Sequence, residues 1–422
     1  MNKIQKPKGT LDILPSDIGL WQYIEGEVRN IAKIYGFSEI RMPTFESTEL
    51  FCRGVGDTTD VVGKEMYTFI DKDGSSLSLR PEGTAGVARS VIENGLYAGA
   101  MPLKLFYLSN FFRREKPQAG RSREFWQFGT ELYGSNMPEA DAQVIMLADS
   151  LFKRFGLKNV TLRINSIGCP ECRPSYRKAL LDYFSQYESE LCPTCRERLQ
   201  KNPLRVLDCK SPICSGIADK APKTLEHLCN GCEEHFEKLK KLLDDCGVEY
   251  IVDPSIVRGL DYYTGTVFEF TVDTIGAQST VCGGGRYDGL LSSIGGPEMP
   301  AVGFGMGITR LIQALKDEDL VPNLESSSDI YIAPLGENAS SFAFSLAQKL
   351  RNMGISAETD ICGRSLKAQM KYADKTGAKF VLVIGDNEIA ENEAELRNMR
   401  NGERAKICLN TETIMTSIKT EV

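Results

Sequence analysis

The sequence predicts an α+β body built on an antiparallel sheet, with a Cys-rich, mainly helical insertion inside it and a small α/β domain of βαβαβ pattern after it. Three observations predict this. Strand-length apolar runs with turn chemistry dominate residues 1–165 and resume after residue 250. Nine of the thirteen cysteines lie between Cys169 and Cys246. Beyond a polar linker at residues 322–328 (PNLESSS), strand and helix signals alternate.

Trp21, Ile24, Val28, Ile31 and Ile34 recur at three- and four-residue spacing, an amphipathic helix that Gly36 stops. Residues 36–45 then read as a strand or extended segment carrying Pro43. Strands over 66–70 and 76–80 flank an Asp-Lys-Asp-Gly turn, which is hairpin chemistry. Residues 105–108 and 125–133 are further strands, separated by a basic loop. Within the Cys-rich stretch, residues 175–188 and 233–246 read as helices rich in Lys and Glu. Strands over 267–272 and 279–282 bracket Gly276 as another hairpin. After the linker come a strand over 329–333, a helical stripe of Phe342, Leu346, Leu350 and Met353, and a strand over 355–359. A second stripe of Leu366, Met370 and Ala373 leads to a strand over 380–384. That order predicts a small sheet with parallel pairing.

With 42% hydrophobic and 25% charged residues, the 422-residue chain has the apolar content for packed cores, and disorder is not expected. The net charge of −7 argues against a protein that coats nucleic acid nonspecifically, but it leaves room for a local basic site. No apolar run approaches the roughly 20 residues of a membrane helix. The first residues carry charge without an apolar core, so no signal peptide and a cytoplasmic location are expected. The cysteines are then reduced thiols or metal ligands.

Four groups of residues carry candidate chemistry. Arg80-Pro81-Glu82-Gly83-Thr84 delivers a carboxylate and a hydroxyl at a strand end, suited to an ammonium group. It reads equally as a strand-to-helix transition with Thr84 as the cap. Residues 113–123 hold five basic residues against one acid, with Pro117 and Gly120 making a loop between strands. Arginine forks there suit a polyphosphate or a nucleic-acid backbone, against the plainer reading of a solvated hairpin tip. Residues 258–269 pair Tyr262 with Tyr263, suited to a pocket for a flat polar ring or simply to a hairpin. Residues 282–290 and 303–311 combine glycines, which permit close backbone approach, with Arg310 at a helix start. Their spacing is not that of a dinucleotide loop, so a Rossmann fold is rejected.

The sequence has no Gly-x4-Gly-Lys-Ser/Thr loop and no Gly-x-Ser-x-Gly elbow. The only histidines, His227 and His235, lie in the Cys-rich unit, which removes Ser-His and Cys-His hydrolases. What remains is arginine-dominated chemistry, in which positioning and charge neutralisation do the catalysis. The Cys-rich unit contains Cys-x-x-Cys three times, at Cys169–Cys172, Cys192–Cys195 and Cys229–Cys232. Two such pairs can complete a tetrahedral structural Zn²⁺ site, with His227 and His235 as further candidate ligands. Reduced structural thiols are the alternative, and the sequence leaves open which pairs combine.

Together these residues resemble those of the bacterial histidyl-tRNA synthetases, a family of class II aminoacyl-tRNA synthetases. The resemblance runs from Lys8-Gly9-Thr10-Leu11-Asp12 to the terminal βαβ domain. Residues 80–84, 112–133 and 303–311 resemble the family's substrate loop, motif 2 and motif 3. Residues 258–269 resemble its histidine signature, and the segment around Pro43 its motif 1. The resemblance implies a class II catalytic domain over 1–325, with the insertion at about 169–250, and an anticodon-binding domain over 329–422. It implies a homodimer that activates histidine with ATP and Mg²⁺ to histidyl-adenylate, then transfers histidine to the 3′ end of tRNA(His). It implies that Glu82 and Thr84, either side of Gly83, hold the α-amino group with Gln127. Glu131 and Tyr263 would read the imidazole nitrogens, with Tyr262 beside them. Arg113 would bind the α-phosphate of ATP, Glu115 the adenine amino group and Arg310 the γ-phosphate. Arg258 would hold the histidine carboxylate and the α-phosphate, and Arg121 and Arg123 would lie in the loop that reaches the tRNA acceptor end.

Two positions depart from the commonest family pattern: Thr309 where Glu is frequent, and Gly265 where Arg is common. The Cys-rich unit has more Cys-x-x-Cys than the family requires, so a metal there is not inherited from it. The main rival is a catalytically inactive relative, the synthetase-like regulatory subunit of ATP phosphoribosyltransferase. That protein typically lacks the C-terminal domain and signature residues, whereas residues 329–422, Arg113, Arg258 and Arg310 are all present here. A zinc-binding or redox interaction protein would leave the arginines unexplained. Residues 329–422 hold 12 basic and 13 acidic residues, so tRNA affinity must come from local patches and shape rather than bulk charge.

Overall fold

Leu20, Trp21, Ile24, Val28 and Ile31 line one side of the helix Ile18–Ile34 and are buried, as the spacing predicts. Ile34 is 64% exposed. Two successive three-residue steps, Val28 to Ile31 to Ile34, rotate it off the stripe. The structure is a computed structural model describing residues 3–56, 59–117, 121–207, 209, 211–256, 259–273, 279–324 and 328–420. The chain forms two compact units, Met1–Pro322 and Asn323–Val422.

The first unit is organised around an eight-stranded sheet. Its order is Ser38–Glu39, Leu103–Phe112, Glu124–Tyr133, Ala301–Gly307, Thr280–Arg286, Thr264–Val272, Val160–Ser166 and Ile251–Val252. The six inner strands pair antiparallel, as expected from the sequence. The two short edge strands run parallel to their neighbours. The central hairpin is longer than predicted because every residue from Leu103 to Phe112 finds a partner between Tyr133 and Glu124. Both glycine-dense stretches lie in strands, and Val160–Ser166 is a strand the sequence reading did not name.

Side chains alternate across a strand. On one face Phe106, Phe128, Leu132, Phe268 and Phe304 join a core with the helices Ile18–Ile34, Pro138–Arg154 and Ile308–Asp317. Gln127, Gly129 and Glu131 therefore face the other way. A smaller three-stranded sheet orders Phe45–Ser47, Ser76–Leu79 and Thr68–Ile70, and contains the expected hairpin. The extended segment before it divides into Ser38–Glu39 and Phe45–Ser47, with Pro43 between them unable to donate a ladder hydrogen bond.

The Cys-rich stretch builds its own small core from Tyr176, Leu180, Phe184, Leu191, Leu199 and Val206. Of its two expected helices, Arg173–Ser185 contributes to that core. The other, Asn230–Asp245, packs Phe236, Leu239 and Leu243 into the main core instead.

In the second unit, Ala357–Thr359, Ile330–Pro334 and Phe380–Ile384 are parallel neighbours, as predicted. Two antiparallel strands not foreseen, Glu393–Asn398 and Arg404–Cys408, extend them into a mixed five-stranded sheet. No described helix is long and apolar enough to cross a membrane.

Candidate active site

The register of the large sheet decides what its free face presents. One row across it runs Tyr107, Gly129, Gly305, Gly283 and Glu269. The next runs Leu105, Glu131, Gly303, Gly285 and Val267. Five glycines thus stand where side chains would otherwise rise from the sheet, leaving a hollow floor. A Cβ on Gly83 or Gly129 would collide with the Tyr107 ring, and one on Gly303 with the Glu131 carboxylate. The hollow is a cavity of about 230 Å³. It opens beside a larger cleft of about 740 Å³, and Arg113, Glu115, Arg121, Tyr263 and Arg310 line both.

Glu82 closes one end of the smaller cavity. Its carboxylate accepts the backbone N–H groups of Thr84 (2.7 Å) and Ala85 (2.8 Å), capping the helix Thr84–Glu93. Thr84 is not the cap: it is the first helical residue, and its hydroxyl donates to Glu131 at 2.7 Å. Burial pushes the Glu82 carboxyl up, while the two N–H groups and Arg113 pull the other way. Glu131 is fully buried and also accepts the Tyr287 hydroxyl. Burial raises its pKa to about 8, against the stabilising bonds from Tyr287 and Thr84. Tyr262 and Tyr263 also line the cavity, with ring centroids 4.7 Å apart.

Arg113 donates to the Pro81 carbonyl at 3.0 Å and lies over the Phe125 ring at 5.2 Å. Arg310 donates to the Thr280 carbonyl at 2.5 Å. Burial lowers its pKa, and the nearby charges of Arg121 and Arg113 add to the effect. Arg121 pairs with Glu115 at 2.9 Å. The larger cleft is lined by seven arginines and seven carboxylates. Among them Arg205 pairs with Asp261 and Arg198 with Asp60, each at 2.9 Å. An anion entering this cleft meets preformed guanidinium donors and exchanges carboxylate partners for its own oxygens.

Ten sequence-predicted residues line the smaller cavity: Glu82, Gly83, Thr84, Arg113, Glu115, Arg121, Gln127, Tyr262, Tyr263 and Arg310. Glu131 lies behind that wall, beneath Thr84. Arg123 lines neither cavity; it donates to the Glu115 carbonyl at 3.3 Å and packs against Gly9. Arg258 lies outside the described residues, as do Gly120 and Gly276. Sequence reasoning missed Tyr107, Trp126 and Thr280 in the wall and Tyr287 behind it. Tyr107 carried a usable signal, since it alternates with Phe106 and Leu108 in a predicted strand.

Eight of the thirteen cysteines gather away from this cavity into two groups of four, each with its sulfurs within 4.8 Å of one another. One group is Cys169, Cys172, Cys229 and Cys232, and the other is Cys192, Cys195, Cys209 and Cys214. Each can hold a metal ion. The Cys-Pro-x-Cys turns do not combine with each other. The second group is completed by Cys209 and Cys214, whose spacing is not Cys-x-x-Cys. Neither histidine joins a group. His235 reaches the buried Asp141, which also pairs with Arg286, and His227 stacks near Tyr176 at 5.5 Å.

An antiparallel sheet with a glycine floor and an arginine rim defines a class II synthetase-like catalytic fold. Residues 9–311 match the family model Histidyl-tRNA synthetase, and residues 329–420 match the model Anticodon binding domain. The chain belongs to the histidyl-tRNA synthetase family. A histidine–tRNA ligase of Acetivibrio thermocellus is 52% identical over 407 residues, covering 96% of this chain and 98% of that protein. One of Caldanaerobacter subterraneus is 52% identical over 403 residues, covering 96% and 97%. The apo S. aureus histidyl-tRNA synthetase structure matches with a TM-score of 0.84 at 38% identity over 99% of both chains. A Bacillus halodurans ATP phosphoribosyltransferase regulatory subunit/histidyl-tRNA synthetase is more distant, with a TM-score of 0.66 at 25% identity over 91% of this chain and 99% of that one.

Proposed function

We propose that this chain is a histidine–tRNA ligase that works through the cavity described above. The observation that carries the site assignment is its two-part shape. A small hollow ends in carboxylate, hydroxyl and tyrosine groups, and it opens directly onto an arginine-lined cleft. Histidine enters the hollow with its ammonium against Glu82, Thr84 and Gln127 and its imidazole toward Tyr262 and Tyr263. Glu131, one layer below, orients Thr84 and supplies a carboxyl at the imidazole end. Other amino acids would leave these polar groups unpaired, which is the basis of selectivity.

ATP, with its Mg²⁺ as part of the substrate, occupies the larger cleft. Glu115 takes the adenine amino group, Arg113 the α-phosphate and Arg310 the γ-phosphate. A histidine carboxylate oxygen attacks the α-phosphorus, and the bond to the bridging oxygen of pyrophosphate breaks. Arg113 and Arg258 neutralise the charge that builds on the α-phosphate, so no general base is required. A terminal ribose hydroxyl of tRNA(His) then attacks the adenylate carbonyl and AMP leaves. In this reading residues 1–325 catalyse and residues 329–422 bind the anticodon. Arg121 and Arg123 meet the acceptor end, and the insertion's cysteines are metal ligands.

The working form is a cytoplasmic homodimer. Phe45, Phe69 and Ile70 support that assembly, being 53%, 43% and 68% exposed beside the segment that resembles motif 1. Histidine-dependent exchange of pyrophosphate into ATP tests the function. Exchange with histidine alone among the amino acids is expected, and Arg258→Ala should lose most of it while keeping the fold. Pure protein that exchanges nothing with histidine would point to a regulatory role instead.

A further inference from the structure

We propose that the insertion holds two separate zinc ions, one in each four-cysteine group, and that the second fixes an arginine-bearing strut over the catalytic cleft. The positioning half rests on reading that cleft as the ATP site; the metal half does not.

The sulfur geometry carries the metal half. Zinc–thiolate bonds of about 2.3 Å in a tetrahedron place the sulfurs about 3.8 Å apart. Cys169 and Cys172 are separated by 3.7 Å, Cys169 and Cys229 by 3.8 Å, and Cys192 and Cys209 by 3.9 Å. Disulfides would need about 2.05 Å. Backbone N–H groups also point at the sulfurs: Cys229 donates to Cys172 at 3.1 Å, and Cys192 to Cys214 at 3.3 Å. Such donors orient and stabilise thiolate ligands. Four sulfurs per site leave no open position, so both sites are structural, and soft ligands select zinc over magnesium or calcium.

The two sites do different work. The first joins the point where the chain leaves the sheet, just after Val160–Ser166, to the N-cap of the helix Asn230–Asp245. It closes the neck of the insertion. The second brackets a single excursion. Cys192 caps the helix Pro193–Lys201, and Cys209 and Cys214 receive the chain on its return. Between them stand Arg198, on Asp60, and Arg205, on Asp261 and the Gly259 carbonyl at 3.0 Å. Asp261 adjoins Tyr262 of the histidine pocket. A zinc ion at the root of this strut fixes where both guanidiniums reach the cleft.

The test is elemental analysis of the full-length, untagged protein produced with zinc and dialysed free of loose metal. Two zinc ions per chain are expected. Cys169→Ser with Cys172→Ser should leave one, Cys192→Ser with Cys195→Ser should leave one, and the four changes together none. Because a variant can fail to fold, the wild type is also titrated with a mercurial thiol reagent, which should release two zinc ions once the eight thiols of the two groups, beyond exposed ones such as Cys246 and Cys362, have reacted. Fewer than one zinc per chain, iron in its place, or a count unmoved by the substitutions overturns the metal assignment. For the strut, Cys192→Ser with Cys195→Ser should raise the KM for ATP in the exchange assay about tenfold, as should Arg205→Ala. An unchanged KM overturns the strut. Two zinc ions in a protein with no exchange activity would overturn the enzyme reading and leave the sites standing.

Discussion

Glu131 is held where its charge is opposed, and replacing it separates stability from binding. The side chain is fully buried, and its pKa is raised from 4.5 to about 8. A raised folded value means that the native state keeps a proton the unfolded chain releases above pH 4.5. Stability is therefore fully present below that pH and falls as pH rises toward 8, by about 1.4 kcal/mol per unit. By pH 8 the loss is about 4 kcal/mol. Glu131→Gln does not titrate. Its amide, like the protonated carboxyl it replaces, offers both a donor and an acceptor to the hydroxyls of Thr84 and Tyr287, so the exchange costs about 1 kcal/mol at most. The variant should be within about 1 kcal/mol of the wild type at pH 5 and about 3 kcal/mol more stable at pH 8. Urea unfolding followed by tryptophan fluorescence measures this, since Trp21 and Trp126 sit edge-to-face at 6.2 Å in the first unit. A difference between variant and wild type that stays constant from pH 5 to pH 8 would refute the reasoning. The same variant should bind histidine more weakly in equilibrium dialysis.

Two further predictions concern the floor and the rim. Gly83→Ala places a methyl against the Tyr107 ring, an overpacking of about 1–3 kcal/mol, and should lower kcat/KM for histidine at least tenfold in the exchange assay. Unaltered kinetics would mean that Tyr107 moves freely. Arg310→Ala removes a charged donor worth about 1.5–3 kcal/mol and should raise the KM for ATP by tenfold or more, with histidine affinity unchanged.

Much of this architecture was legible because its signals are periodic. The stripe from Trp21 to Ile31 and the parallel strands of the second unit follow from spacing alone. The last two strands were missed although Ala394, Leu396 and Asn398 alternate buried with their neighbours. The charges of Glu393, Glu395 and Arg397 masked that period. From the sequence the glycine stretches say only that a backbone can be approached closely, because one strand's sequence cannot show that its neighbours are also glycine; the register aligning Gly129, Gly305 and Gly283 makes them a floor. The same limit hid Tyr287, which meets Glu131 from 156 residues away. It also hid the pairing of Cys192 and Cys195 with Cys209 and Cys214.

The insertion leaves and rejoins the body at one place, with Cys169 and Cys229 only 3.8 Å apart across sixty residues of sequence. A detour whose ends coincide imposes no length on the structure it departs from. Doubling it would add only about 0.6 kcal/mol of closure entropy. The sheet and its pocket can thus stay fixed while this lobe grows, shrinks or changes its surface.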